Sequence, residues 1–248
     1  MSGVLIVTGG SRGIGAAICT LAADRGYDVV VNYSGDASDA ERVAGKVRAQ
    51  GRQAVAVRAD VSDEDEVRAL FDAAAELGPL TGLVNNAAIT GNTPGRFDSY
   101  EVDVVRRVLD VNVTGVFLCL REGIRRMSTR YGGSGGAIVN ISSTAARTGS
   151  AGEWVHYAAT KAAVDTMTFG VAQEVAKEGV RVNAVAPGLV DTGLHAAAGM
   201  PDRVDRFAPQ IPLGRPGRPG EIAEAVLWLL SPAASYATGT VLEVGGGR

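Results

Sequence analysis

The sequence predicts a doubly wound α/β architecture, with one parallel sheet covered by helices on both faces. Three observations predict it. Short runs rich in Val and Ile alternate with longer stretches of helical period. The short runs lack polar alternation, as strands do when both of their faces are buried. A glycine-rich turn joins the first such run to the first helical stretch, as in a repeated βα unit.

Seven runs read as strands: Val4–Thr8, Val29–Tyr33, Ala54–Val57, Leu83–Asn85, Ala137–Ile141, Arg181–Ala186 and Val241–Val244. Between them, Gly13–Arg25, Asp36–Gln50, Ser62–Leu77, Tyr100–Met127, Ala158–Glu178 and Glu221–Leu230 read as helices. Ser62, with Asp65 and Glu66 behind it, has the look of an N-cap followed by acids in the first turn. Gly26, Gly51, Gly78 and Gly179 stand where helices should stop. Gly188–Gly220 is rich in Pro and Gly, with Pro201, Pro209, Pro212, Pro216 and Pro219. Placed after a strand and before the last helix, it reads as a lid over a site rather than a domain boundary. With no linker and no internal repeat, residues 1–248 read as a single domain.

Composition narrows the function. The chain has 248 residues, 46% of them apolar and 21% charged, with a net charge of −3. A chain this apolar can bury enough surface to fold. Weak acidity without basic blocks argues against nucleic acid or an anionic membrane as a partner. The longest uninterrupted apolar stretch covers about six residues, Ala225 to Leu230, whereas a bilayer needs about 20. No basic region precedes the short apolar Val4–Val7, so no export signal is expected, and a cytoplasmic location fits. Cys19 and Cys119 read as core thiols rather than a disulfide framework. No His, Cys or carboxylate cluster has metal-ligand spacing.

The first strand runs into Gly9-Gly10-Ser11-Arg12-Gly13-Ile14-Gly15 and then a helix. Glycine permits a sharp turn and lets backbone N–H groups approach an anion. The positive end of the following helix faces that anion, so a dinucleotide phosphate is the expected guest. The acid that would hold an unmodified adenosine ribose is missing from the end of the second strand. That end reads Asn32-Tyr33-Ser34 instead, with Arg12 in the turn. A cation without a carboxylate favours a 2′-phosphate, hence NADP(H) over NAD(H). Asp36, two residues further on, would weaken this preference if it folded back.

Tyr157 and Lys161 are spaced i, i+4 and share one helix face. An ammonium beside a phenol stabilises phenolate, and a phenol so tuned can exchange a proton with a carbonyl or alcohol oxygen. Ser142-Ser143 ends the fifth strand, where ligands of open α/β sheets bind, and a hydroxyl there can hold the same oxygen. Neither His156 nor His195 has the context of a serine hydrolase. Asn112, amid the β-branched Val111 and Val113 with Thr114, is a poor helix former and is expected to break the fourth helix locally. Trp154, His156, Leu194, His195, Met200 and Phe207 fall in the loops facing these residues, and His156 itself reads as a plain surface histidine.

Thr8 to Gly15, Asn85-Asn86-Ala87, Asn112, Ser143, Tyr157-x-x-x-Lys161 and Pro187-Gly188 occur in the order of short-chain dehydrogenases/reductases. The resemblance covers essentially the whole chain, including Thr238-Gly239 and Gly245-Gly246-Gly247. Within the family it is most similar to 3-oxoacyl-[acyl-carrier-protein] reductases and bacterial glucose dehydrogenases. It implies a Rossmann fold and an NADP-dependent oxidoreductase acting on CH–OH donors, with a small carbonyl or alcohol substrate. The substrate class is left between ketone or 3-oxoacyl compounds and sugars, and a catalytically silent sensor or scaffold is the competing class. It also implies that Tyr157 is the general acid/base, Lys161 binds the nicotinamide ribose, Ser143 positions the substrate oxygen and Asn112 anchors a relay water. Gly9, Ser11, Arg12, Gly13, Ile14 and Gly15 would line the pyrophosphate, and Asp60 and Val61 the adenine. Asn86, Ala87, Pro187, Gly188, Val190 and Thr192 would follow toward the nicotinamide. A homo-oligomer, dimer or tetramer, is implied through the helices at about 100–127 and 158–178. Two departures stand out. Ala88 replaces the usual Gly, and Ser143 lies 14 residues before Tyr157, one more than usual, which places an extra residue in the loop or makes Ser142 the working serine. Counting from the strand selects Ser143.

Overall fold

A computed structural model describes residues 3–193 and 197–247. Seven parallel strands form one sheet in the order β3-β2-β1-β4-β5-β6-β7. They are β1 (Gly3–Val7), β2 (Tyr27–Tyr33), β3 (Ala54–Arg58), β4 (Leu80–Asn85), β5 (Gly136–Ile141), β6 (Val180–Pro187) and β7 (Val241–Val244). β1 is buried along its whole length, as a central strand with both faces covered should be. The helices are α1 (Gly13–Asp24), α2 (Ala37–Ala49), α3 (Glu64–Leu77), α4 (Val102–Leu109), α5 (Gly115–Met127), α6 (Ala145–Thr148), α7 (Val155–Val175), α8 (Arg203–Phe207) and α9 (Pro219–Leu230).

Two cores sandwich the sheet. Ile18 and Cys19 of α1, Val43 and Val47 of α2, and Val226 and Leu229 of α9 pack on one face. Leu70 and Phe71 of α3, Leu118 and Cys119 of α5, and Val164 of α7 pack on the other. Both cysteines are free and buried, as expected of core thiols. No helix among the described residues is long and apolar enough to cross a membrane.

Three details differ from expectation. Asp63, not Ser62, caps α3, accepting from the amides of Asp65 and Glu66; Ser62 instead donates to Asp60 at 2.7 Å. The single helix expected over Tyr100–Met127 is two helices joined by one π-turn at Asp110–Thr114, with Asn112 inside it. Strand and helix ends elsewhere shift by up to three residues, as at β4, which begins at Leu80, and at α7, which runs Val155–Val175 rather than Ala158–Glu178.

The strand order reverses between β1 and β4, and a crevice opens beyond the carboxyl ends of the strands at such a point. A buried polar ladder fixes α7 against that region. Asn85 donates to Asn140 at 2.9 Å across β4 and β5, and Asn140 donates to Thr168 of α7 at 2.8 Å. α7 carries Tyr157 and Lys161, so the ladder fixes where their helix lies.

Candidate active site

A cleft of about 800 Å³ runs across the carboxyl ends of the strands. One end is the glycine turn. Gly9 and Gly13 adopt φ of 60° and 52°, a region that a Cβ disfavours. Gly15 is buried beneath the turn rather than on the cleft wall, and a Cβ there would lie 2.3 Å from the Gly9 carbonyl oxygen. The turn is held from both sides. Asn32 accepts from the Gly9 amide at 3.1 Å and donates to the Ala59 carbonyl at 3.0 Å. Asn86 donates to the carbonyls of Thr8 and Gly9 at 2.9 and 3.0 Å. These two asparagines therefore build the cradle with their side chains. Ser11, Arg12, Gly13 and Ile14 face the cleft at the start of α1, as an anion site requires.

The acids at this end are all engaged. Asp36 accepts from the Ser38 amide as the cap of α2, which holds its carboxyl below the usual range. Asp39 pairs with Arg42 at 2.7 Å. Asp60 accepts from Ser62 and pairs with Arg107 at 2.5 Å. Arg12 has no acidic partner among the described residues, so its charge is free for a guest anion. Tyr33, Ser34, Val61, Ala87, Pro187, Gly188, Val190 and Thr192 line the same cleft.

At the other end the catalytic candidates meet. Ser143 stands beside Tyr157 and favours its phenolate, while its Oγ accepts from the Ala145 amide at 3.1 Å. Ser142 is buried and its hydroxyl donates instead to the Lys161 carbonyl at 3.3 Å. Both serines line the cleft, but Ser143 is the one that acts on the Tyr157 phenol. Lys161 is buried, its Nζ donating to the Ile141 carbonyl at 2.7 Å and lying 5.5 Å from the centre of the Tyr157 ring. Asn112 is fully buried behind them. Its Oδ1 accepts from the Ile89 amide at 2.9 Å, and its Nδ2 donates to the Ile89 carbonyl at 2.9 Å and to Thr160 at 3.1 Å.

The electrostatics differ from the expectation that Lys161 pulls the phenol down toward neutrality. Burial pushes Tyr157 up to about 12, and the groups that pull it back are Ser143 and Arg203. Burial also pushes Lys161 down to about 8, with Asp165 one turn along α7 pulling it up. The reason is that both groups share one poorly hydrated pocket, where each charged form is penalised.

His156 is a second correction. It is buried, not superficial, with Nε2 2.8 Å from the Thr90 carbonyl and its ring edge-on to Tyr100 at 4.3 Å. It does not line the cleft. Of the other loop residues, Trp154 lines it, Met200 and Phe207 do not, and Leu194 and His195 lie outside the described residues. The Gly188–Gly220 segment does form a wall, through Gly188, Leu189, Val190, Thr192, Gly193, Ala197 and Arg203. Glu153 and Arg203, which the spacing of motifs did not reveal, pair at 2.6 Å on that wall. Both loops carry charges of either sign, so the sequence did not single out this pair.

Comparison with known proteins agrees with this geometry. A family model described as Enoyl-(Acyl carrier protein) reductase matches residues 9–248. The chain is 48% identical over 246 residues to the uncharacterized oxidoreductase YgfF of Escherichia coli (strain K12), covering 99% of each chain. It is 45% identical over 249 residues to cis-4-hydroxycyclohexanecarboxylate dehydrogenase of Sinomonas cyclohexanicum, covering 98% of this chain and 95% of that one. It is 40% identical over 245 residues to the 3-oxoacyl-[acyl-carrier-protein] reductase FabG of Staphylococcus aureus (strain Mu50), covering 98% and 96%.

Proposed function

The chain belongs to the short-chain dehydrogenase/reductase family, oxidoreductases that work with a nicotinamide cofactor, and from that premise we propose that it interconverts a secondary alcohol and a ketone with NADP(H). The observation that carries the proposal is that Ser143, Tyr157 and Lys161 line the same cleft as the glycine cradle. The two relatives with named substrates act on a hydroxycyclohexanecarboxylate and a 3-oxoacyl group. Both substrates carry a secondary carbinol or a ketone.

The bound cofactor supplies or accepts the hydride. The chain supplies everything else. Backbone amides from Gly9 to Ile14 and the start of α1 would hold the pyrophosphate, and Arg12, without an acidic partner among the described residues, the 2′-phosphate. Lys161 would hold the nicotinamide ribose. Ser143 donates a hydrogen bond to the substrate oxygen, and Tyr157 gives that oxygen its proton on reduction and takes it back on oxidation. Asn112, saturated by Ile89 and Thr160, keeps the π-turn in place beside α7 and leaves its main chain to position a relay water. Phe117 on α5 and Phe169 on α7 are 55% and 60% exposed, which supports pairing of copies through these helices.

The test follows NADPH absorbance against ketones, 3-oxoacyl thioesters and sugar lactones. Tyr157→Phe should lower kcat by about 10²- to 10⁴-fold while NADPH affinity stays within a few-fold. Near-full turnover in that variant would refute the role of the phenol. Tight NADPH binding with no turnover across the panel would identify a sensor instead.

A further inference from the structure

The substrate end of the cleft contains a cation that hydride transfer itself does not require. Arg203 Nε and Nη2 donate to the two carboxylate oxygens of Glu153 at 3.2 and 2.6 Å. The guanidinium lies 5.1 Å from the Trp154 ring centre and 5.2 Å from that of Phe207. Its side chain is only 13% exposed. A charge this sheltered is held by its partners, because burying it alone is costly. Two aromatic neighbours and a two-point acid contact also remove its rotational freedom.

Glu153 does not cancel the positive charge here. Arg206 also reaches Glu153, at 3.6 Å, so two guanidinium groups share one carboxylate. Arg203 shares the cleft lining with Tyr157, and its charge favours the phenolate there. A guanidinium has five N–H donors. Glu153 occupies two, and the remaining edge has no hydrogen-bond partner among the described residues. That edge matches a planar carboxylate in shape and charge. Arg203, Tyr157 and Ser143 line one continuous cleft.

We propose that Arg203 selects the substrate by receiving a carboxylate at the end of the molecule away from its reacting oxygen, so that the preferred substrates are hydroxy and oxo carboxylic acids. This rests on Tyr157 and Ser143 meeting the reacting oxygen, as argued above. Glu153 and the two aromatic rings hold the fork in plane. Arg206 offsets the repulsion between Glu153 and an incoming anion.

The experiment compares 4-oxocyclohexanecarboxylate with its carboxamide under NADPH, in the wild type, Arg203→Gln, Arg203→Lys and Glu153→Gln. The wild type should favour the acid in kcat/KM by about 10- to 100-fold, the range expected for hydrogen bonds to a charged group. Arg203→Gln should erase that ratio through KM for the acid. Arg203→Lys should retain part of it, and Glu153→Gln should retain or raise it. A second readout needs no turnover. In a Trp228→Phe background the remaining tryptophan is Trp154, and its fluorescence should saturate with unreactive cyclohexanecarboxylate when Arg203 is present and not in Arg203→Gln. A ratio near one in the wild type, with the carboxamide reduced, would overturn the proposal and leave hydride transfer standing. Carboxylate binding that depends on Arg203, without reduction of any ketone, would uphold the anion site and overturn the hydride reading. No saturation and no turnover would overturn both. Should Arg203→Gln fail to fold, the wild-type ratio and its change in Arg203→Lys decide.

Discussion

Replacing Lys161 with Met should stabilise the protein at neutral pH while abolishing its proposed chemistry. Burial holds Lys161 near 8 rather than the ordinary 10.5. The fold therefore penalises the ammonium relative to the unfolded chain, and below pH 8 the full penalty applies. At 1.36 kcal/mol per tenfold it amounts to about 3 kcal/mol. Between pH 8 and 10.5 the unfolded chain binds the extra proton, so wild-type stability gains from this site as pH rises. Methionine removes the penalty at every pH but leaves the Ile141 carbonyl without the 2.7 Å bond from Nζ, a loss of about 1 kcal/mol. At pH 7 the variant should thus be more stable by about 2 kcal/mol, or about 4–8 °C in Tm for a domain of this size. The advantage should shrink above pH 8 and reverse near pH 10. The assay is thermal and urea unfolding of both proteins from pH 6 to 10 with no dinucleotide added. Tyr157, Cys19 and Cys119, whose burial raises them, act in the opposite sense above about pH 9 but are common to both proteins and cancel in the difference. A variant less stable than the wild type at pH 7, or a difference independent of pH, would refute the reasoning.

Three further outcomes follow from the same geometry. Arg12→Ala should weaken NADPH binding by about 10-fold or more, the loss of one charge-assisted contact, and NADH binding far less; equal losses in fluorescence titrations of the two would remove the 2′-phosphate from the account. Gly15→Ala would place a Cβ 2.3 Å from the Gly9 oxygen and 2.7 Å from Asn86 Nδ2, so the turn must open, and dinucleotide affinity should fall by at least about 10-fold with about 1–3 kcal/mol lost in urea unfolding. Asn140→Ala breaks the ladder from Asn85 to Thr168 and should cost about 3 kcal/mol, read as a Tm lower by about 6–12 °C.

What could be read in advance follows the range of the forces involved. The strands were legible because burial on both faces leaves a local mark, an unbroken Val and Ile run such as Val29–Val31. The glycine cradle and the Tyr157–Lys161 face were legible because each is built from residues within one turn or one loop. The π-turn at Asp110–Thr114 was only half legible: Asn112 marked a weak spot, but the apolar period runs on through a helix whose hydrogen bonds shift by one residue. The cap of α3 was misassigned because Ser62 and Asp63 are both good caps, and the choice was made by Asp60, which engages Ser62. His156 was misread because its burial depends on Thr90 and Tyr100, more than fifty residues earlier in the chain. The same distance concealed the pair of Glu153 and Arg203. The chemistry of Tyr157 brings these cases together. Spacing along α7 identified its neighbour Lys161, but the acidity of the phenol depends on how much water reaches the pocket and on a guanidinium from another loop. A rule based on i, i+4 contains neither quantity. The pH profile of the reaction should therefore respond to substitution at Arg203 as well as at Lys161.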